Sequence, residues 1–330
     1  MFSRNVDNRS RLDVKNVFPV ADLSPNTIYL GHPLIFNHND RSKAYDCILN
    51  KFRAKLTTLK ANKLNHAGRL TYINSVLASI PIYYMSTILF SKTFISKITT
   101  IIRNFWWAGV QEDNASSSFH FRSWKDICRP KREGGLGVRD LLTVNRSLIL
   151  HAAWNVVTGK NPFLTSILKA KYFPNTSFWL AHNNSTKSAF WSSVMQIKDI
   201  LVHNCTIQIH RGDSSIWSTP WCSVWKEIHD HLNLNLPITV PTLPQRISDL
   251  WIPETQKWSN ELISQIFDNN AATAISQTIS VPSDCMDAVR WKPAAKGMCS
   301  AKEAFKLLNT QLQVHLPTQG VKEQGVLALR

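Results

Sequence analysis

Residues 55–90 read KLTTLKANKLNHAGRLTYINSVLASIPIYYMSTILF. The stretch opens basic and amphipathic, and then residues 70–91 carry no charge at all. An uncharged run of that length could cross a bilayer. Asn74, Ser75, Ser79, Pro81, Ser86 and Thr87 interrupt it, however. Leu70, Ile73, Val76, Leu77 and Ile80 recur at steps of three and four, the spacing of a helix with one buried face. The run therefore predicts globular helices, not a membrane span, and no membrane partner is expected. Asn65 is placed to cap a helix reaching about residue 80, which Pro81 should end or kink. A second helix follows over about 81–90. A third covers 94–106, with Phe94, Ile95, Ile98, Ile101, Ile102 and Phe105 at helical steps.

Upstream, a short strand and turn fit residues 26–34, punctuated by Gly31 and Pro33. From Asp40 another helix is expected, capped by Asp40 or Ser42, with Ala44, Ile48, Phe52, Leu56 and Leu59 on its apolar face. Here the chain is most basic: Arg41, Lys43, Lys51, Arg53, Lys55, Lys60, Lys63 and Arg69 face a single acid, Asp46. The whole chain carries +16, most of it before residue 140. Such an excess favours a polyanionic partner, because every phosphate neutralised releases counterions. The eight side chains form the candidate nucleic-acid surface. They would follow a backbone without reading bases.

Downstream the composition changes. All 12 tryptophans lie at or after Trp106, and five of the six tyrosines precede it. Polar loops fit 111–118 and 183–188. Helices fit 141–157 (Leu142, Leu148 or Ile149, Ala152 and Val156 inward), 164–172, 190–202, 259–278 and 302–308. A hairpin over 206–217 would turn at Arg211-Gly212-Asp213, and prolines 237, 241 and 244 suggest a linker. The tail from residue 311 has no convincing core pattern. The expected fold is mainly α: a helical, thumb-like bundle at 1–110, a Trp-rich connector with a small β-hairpin at 111–235, a linker and helix at 236–282, and a last region at 283–330.

Motifs for chemistry are sparse. The six cysteines are scattered without metal-ligand spacing, so no metal or cofactor is expected. Two-metal phosphoryl transfer needs clustered carboxylates. The chain has no Asp-Asp pair, and Glu112-Asp113 sits in a polar loop. The basic glycine loop 129–137 lacks P-loop spacing and reads as a tight turn, with Lys131 and Arg132 kept as secondary nucleic-acid contacts. Trp106, Trp107, Trp217, Trp221 and Trp225 read as core more readily than as base-stacking platforms. In His229-Asp230-His231, neighbouring side chains would diverge on a helix, so a ligand pair is not expected.

Several blocks together resemble plant LINE-type (non-LTR) retrotransposon reverse transcriptases in the region after the palm. They are Phe2-Ser3-Arg4-Asn5, Tyr29-Leu30-Gly31-His32-Pro33-Leu34, Leu64-Asn65-His66-Ala67-Gly68-Arg69, Ser75-Val76-Leu77, Ile80-Pro81 and Met85-Ser86. Trp124 with Cys128, Pro130-Lys131 and Gly134-Gly135-Leu136-Gly137 completes the set, and Lys171-Tyr172, Trp217 and Pro220-Trp221 match more weakly. The resemblance implies a thumb and connector gripping a template–product duplex, with RNA, DNA or their hybrid as partner and the absent palm as a protein neighbour. Trp291, Gly297 and Ala301-Lys302-Glu303-Ala304-Phe305-Lys306-Leu307-Leu308 resemble the opening of a zinc-binding region, cut short here before its ligands; an RNase H domain often follows in this family. Asn65 stands where the family has serine, and Leu59 where it has tryptophan. Lacking the palm's Tyr-x-Asp-Asp motif and an RNase H domain, the chain is expected not to be an enzyme. The alternative readings are an inert relic or interaction module without nucleic-acid binding, and a small-molecule enzyme built on a histidine or cysteine.

Overall fold

The computed structural model describes residues 6–18, 27–33, 45–57, 64–109, 121–183, 187–233 and 242–314. They are mainly helical, with three two-stranded sheets. The chain divides into two compact units, one of residues 1–84 with 90–141 and one of 85–89 with 142–330.

The first unit contains α1 (Asn8–Val17), β1 (Ile28–Tyr29), β2 (His32–Pro33), α2 (Asp46–Thr57), α3 (His66–Ser75), the single turn α4 (Ile82–Met85, whose last residue belongs to the other unit), α5 (Lys92–Ala108) and α6 (Trp124–Cys128). Where a short strand and turn were expected, β1 and β2 pair as a small hairpin, turning through Leu30 and Gly31, both at positive φ. Asn65 caps α3 as predicted, its side chain accepting the Gly68 amide at 2.9 Å. Ser91 caps α5 through the Phe94 amide at 3.2 Å. The core of this unit is aromatic. Tyr45, Phe90 and Phe94 meet with ring centroids 4.8–6.3 Å apart, and Tyr72 meets Phe105 at 5.8 Å. Ile48, Phe52, Ile73, Ile98 and Ile102 fill the space around them.

Two helices are shorter than the apolar spacing predicts. The α3 helix stops at Ser75, and Leu77–Ser79 tighten into a 3₁₀ turn. The cause is Pro81, which has no N–H for the Leu77 carbonyl; the Ile80 amide bonds it instead, at 3.3 Å. The stretch expected as a helix over 81–90 keeps only the single turn α4. Beyond it, Met85 and Ile88 give their carbonyls to the Asn145 side-chain amide, both at 2.8 Å, and the Leu89 amide bonds Ser193 Oγ at 2.8 Å. These bonds tie residues 85–89 into the second unit.

The second unit contains α7 (Leu141–Val157, whose first residue belongs to the other unit), α8 (Pro162–Tyr172), α9 (Ala189–Asn204), β3 (Cys205–Gln208), β4 (Trp251–Ile252), β5 (Lys257–Trp258), α10 (Asn260–Ile266), α11 (Asn269–Ser276), β6 (Ala288–Trp291) and α12 (Ala301–Val314). The α7 bounds match the sequence reading, but the helix is buried around most of its circumference: Thr143, Asn145, Ser147, Leu150 and Trp154 are buried alongside Ile149 and Val156. Tryptophans dominate this core, as expected. Trp191 lies stacked against Tyr172 at 4.6 Å and Phe173 at 5.6 Å, and Trp154 meets Trp291 at 6.3 Å. The strand β3 does not fold back on residues 209–217. It pairs antiparallel with the remote β6, Cys205 opposite Trp291. The helix predicted over 259–278 is two helices, because Asp268 turns extended and caps the second, accepting the Ala271 amide at 2.9 Å. No helix among the described residues is long and apolar enough to cross a membrane.

One carboxylate organises the turn where the hairpin was expected. Asp287 accepts the backbone amides of His210 (2.7 Å), Gly212 (2.9 Å) and Ser214 (2.8 Å), while its own amide donates to Asp213 Oδ1 at 2.9 Å. Burial pushes its pKa up, but the bonds from His210, Ser214 and Gly212 outweigh that and hold it below the ordinary carboxylate value. A carboxyl with a depressed folded pKa contributes stability above its unfolded pKa and loses it as pH falls through the folded value. Asp287→Ala should therefore destabilise the chain at pH 7 by about 2–3 kcal/mol. The wild-type margin over the variant should shrink as urea titrations move from pH 7 to pH 3.

Candidate nucleic-acid interface

The candidate surface starts from α2. Its Ile48, Leu49 and Phe52 are buried, and burying a phenylalanine contributes about 1.5–3 kcal/mol, enough to fix which face points inward. At about 100° per residue, Lys51 and Lys55 then lie on one border of the buried stripe and Arg53 on the other. All three are exposed. Lys51 is held in place: Nζ donates to Tyr84 Oη at 2.8 Å and lies 5.1 Å from that ring's centroid. The Tyr84 hydrogen bond, acting against partial desolvation, raises the lysine's pKa, so it stays charged. Arg53 donates to Asn50 Oδ1 at 3.0 Å, one turn back. The Tyr72 hydroxyl, from α3, donates to the Lys55 carbonyl at 3.0 Å and fastens the end of α2. Asp46, at the N-terminus, is the only carboxylate on the helix. Arg41, Lys43, Lys60 and Lys63 lie outside the described residues.

Arg69 has another role. Its Nε donates to the Leu64 carbonyl, and Nη1 donates to the carbonyls of Trp106 and Trp107, each at 3.1 Å. The last carbonyls of α5 have no partner within their own helix, and here a guanidinium from α3 supplies one. Gly109 closes the same helix at φ +80°, and a Cβ on it would come within 2.9 Å of Arg69 Nη2. The sequence showed the arginine's charge and left its carbonyl partners hidden.

The glycine loop behaves as a turn. The amides of Glu133 and Gly135 bond the Pro130 carbonyl, Gly134 bonds Lys131, Leu136 bonds Ile127 and Gly137 bonds Arg129, all at 2.9–3.2 Å. These N–H groups are thus committed to the chain's own carbonyls. Gly135 passes so close to Arg129 that an added Cβ would sit 2.1 Å from its carbonyl oxygen. Lys131 and Arg132 stand exposed on the turn, and Arg132 Nε lies 3.4 Å from Glu133.

The other candidate groups are engaged structurally. Trp106, Trp221 and Trp225 are buried, and Trp217 is half-buried. His229 stacks on Trp217 at 4.6 Å, while His231 Nδ1 bonds Asp268 Oδ2 at 2.9 Å; the two histidines take different partners within a run of turns, not the helix expected. Burial pushes the thiols of Cys128, Cys222 and Cys299 up to about 12, and that of Cys205 up as well, leaving them protonated and poorly nucleophilic. One buried cation has no sequence signal: Lys198 Nζ donates to the Ala181 carbonyl at 2.6 Å, and desolvation lowers its pKa to about 8.

Removing the Arg69 fork should leave two helix-end carbonyls without it. Arg69→Met is expected to lower stability by about 2–4 kcal/mol, and Arg69→Lys to recover only part of that, since an ammonium cannot reproduce the planar fork. Urea unfolding of the three proteins measures the difference.

No family model matches the chain. It is similar to a protein of Arabidopsis thaliana named "Putative ribonuclease H protein", 29% identical over 268 residues, which are 79% of this chain and 42% of the relative. It is also similar to an uncharacterized mitochondrial protein of Arabidopsis thaliana, 26% identical over 145 residues, 43% of this chain and 92% of that one. The chain thus spans less than half of the first relative and nearly all of the second. The expectation that the chain is not an enzyme is corrected by the first match, whose name is that of an enzyme class. That expectation rested on the lack of both a palm Asp-Asp motif and an RNase H domain, and the relative is named for the second of these.

Proposed function

We propose that this chain comes from a plant LINE-type retrotransposon reverse-transcriptase protein, from the region following the palm, and binds RNA, DNA or their hybrid through the phosphate backbone. The carrying observation is the disposition of α2: its apolar stripe is anchored, and Lys51, Arg53 and Lys55 stand exposed beside it with one carboxylate on the whole helix. Lys131 and Arg132 extend the basic surface as secondary contacts. The similarity to a protein named for ribonuclease H supports a nucleic-acid partner. Lysines and arginines meeting phosphates carry no base readout, so affinity depends little on sequence and strongly on salt.

A second reading, a protein-docking module for a palm or another partner, draws on a different feature. The hairpin tip exposes Ile28, Tyr29 and Leu30, each more than 60% accessible, and Tyr83 is exposed beside it, its hydroxyl bonding the Leu30 carbonyl. Exposed apolar groups clustered in this way mark interaction sites.

Fluorescence anisotropy with duplex DNA, RNA and hybrid separates the two. Wild-type affinity should fall steeply with added salt. The triple reversal Lys51→Glu, Arg53→Glu, Lys55→Glu should weaken all three ligands alike, with a log–log salt slope shallower by about 3. Affinities unchanged by the reversal, in a protein with native circular dichroism, would remove α2 from the binding surface.

A further inference from the structure

Within the second unit a groove of about 500 Å³ opens between the end of α7, the outer side of α8, residues 173–180, residues 217–219 and His229. Its volume lies in the range that small ligands fill, about 300–1,000 Å³. The lining is mostly apolar, and among the described residues its one full cation is Lys169, exposed on α8. No carboxylate is among the described residues that line it. Asn175 and Thr176 are exposed and supply uncharged hydrogen-bonding groups.

Two flat rings line one side. The Trp217 indole and the His229 imidazole are 4.6 Å apart and tilted by only 18°. Trp217 is held in that plane, since its Nε1 donates to the Pro244 carbonyl at 2.8 Å. His229 itself is exposed. The indole is fixed beneath an imidazole that is exposed and lines the groove. A third flat ring gains stacking energy from its π-face whatever its identity, as nucleobases do on aromatic platforms. A lysine in the same groove, with no acid beside it, suits a phosphate attached to that ring.

We infer that this groove holds one unpaired nucleotide of a nucleic-acid strand, the base stacked on the His229 imidazole that Trp217 backs, and the phosphate at Lys169. The inference rests on the nucleic-acid reading above and adds a site specific for single strands, separate from α2. It needs no chemistry on the nucleotide, only binding.

The test uses the full chain and two labelled probes, a single-stranded oligouridylate of about eight nucleotides and a DNA duplex of about twelve base pairs, read by anisotropy. Lys169→Glu and His229→Ala alter exposed side chains and should leave the fold intact. Each should weaken the single strand about fivefold or more, the low end of what a stacked base contributes, while duplex affinity stays within about twofold. Lys302→Glu, a reversal of an exposed charge on α12 that is not among the groove's lining residues, should match wild type. Single-strand affinity unchanged in both groove variants overturns the inference, as does an equal loss in Lys302→Glu. If wild type binds neither probe, the α2 reading fails and the groove is judged alone with adenosine 5′-monophosphate by saturation-transfer NMR. A signal lost in both groove variants supports the site, and no signal on wild type overturns it.

Discussion

Arg69 fastens the first unit together. A single guanidinium bonds the carbonyl that precedes α3 and the two that end α5. This fixes the start of one helix against the end of the other. From α3, Tyr72 then reaches the Lys55 carbonyl on α2 and packs its ring near Phe105 on α5. The basic helix is therefore oriented by contacts that begin at Arg69. A planar fork can satisfy several carbonyls at once, which an ammonium does less well. The most basic stretch of the chain thus contains both a structural cation and outward-facing ones, and charge alone does not separate them.

Electrostatics and packing divide the work on α2. Burial of Ile48 and Phe52 determines rotation, and rotation determines where Lys51, Arg53 and Lys55 point. They lie on both borders of the buried stripe, not on one line. A ligand meeting all three must straddle the helix or contact it from its exposed side. Backbone-tracking contacts tolerate this, because phosphates recur along any strand, whereas base readout would demand tighter convergence.

Much of the fold was legible in local signals. The Asn65 cap, the amphipathic spacing of α5 and the bounds of α7 follow from side-chain chemistry within a few residues of each site. Trp106, Trp221 and Trp225 read correctly as core, while Trp217 is only half-buried. What escaped the sequence was set by interactions at a distance or by backbone groups. The partner of β3 lies about eighty residues away and leaves no trace in the alternation of Cys205-Thr206-Ile207-Gln208. The end of α3 depends on which amide reaches the Leu77 carbonyl once Pro81 cannot. At Asp268 a cap signal sat inside an apolar pattern that hid it. For the site, Lys51, Arg53 and Lys55 were legible by type, while the Arg69 fork, the Trp217–His229 stack and buried Lys198 required the folded chain.

The most direct measurement of the central claim is lysine acetylation footprinting of the full chain with and without saturating RNA–DNA hybrid, quantified by mass spectrometry at low salt. The account predicts that Lys51 and Lys55 are protected together by the hybrid while Lys302 reacts equally in both samples. Equal modification of Lys51 and Lys55 with and without bound hybrid would contradict it.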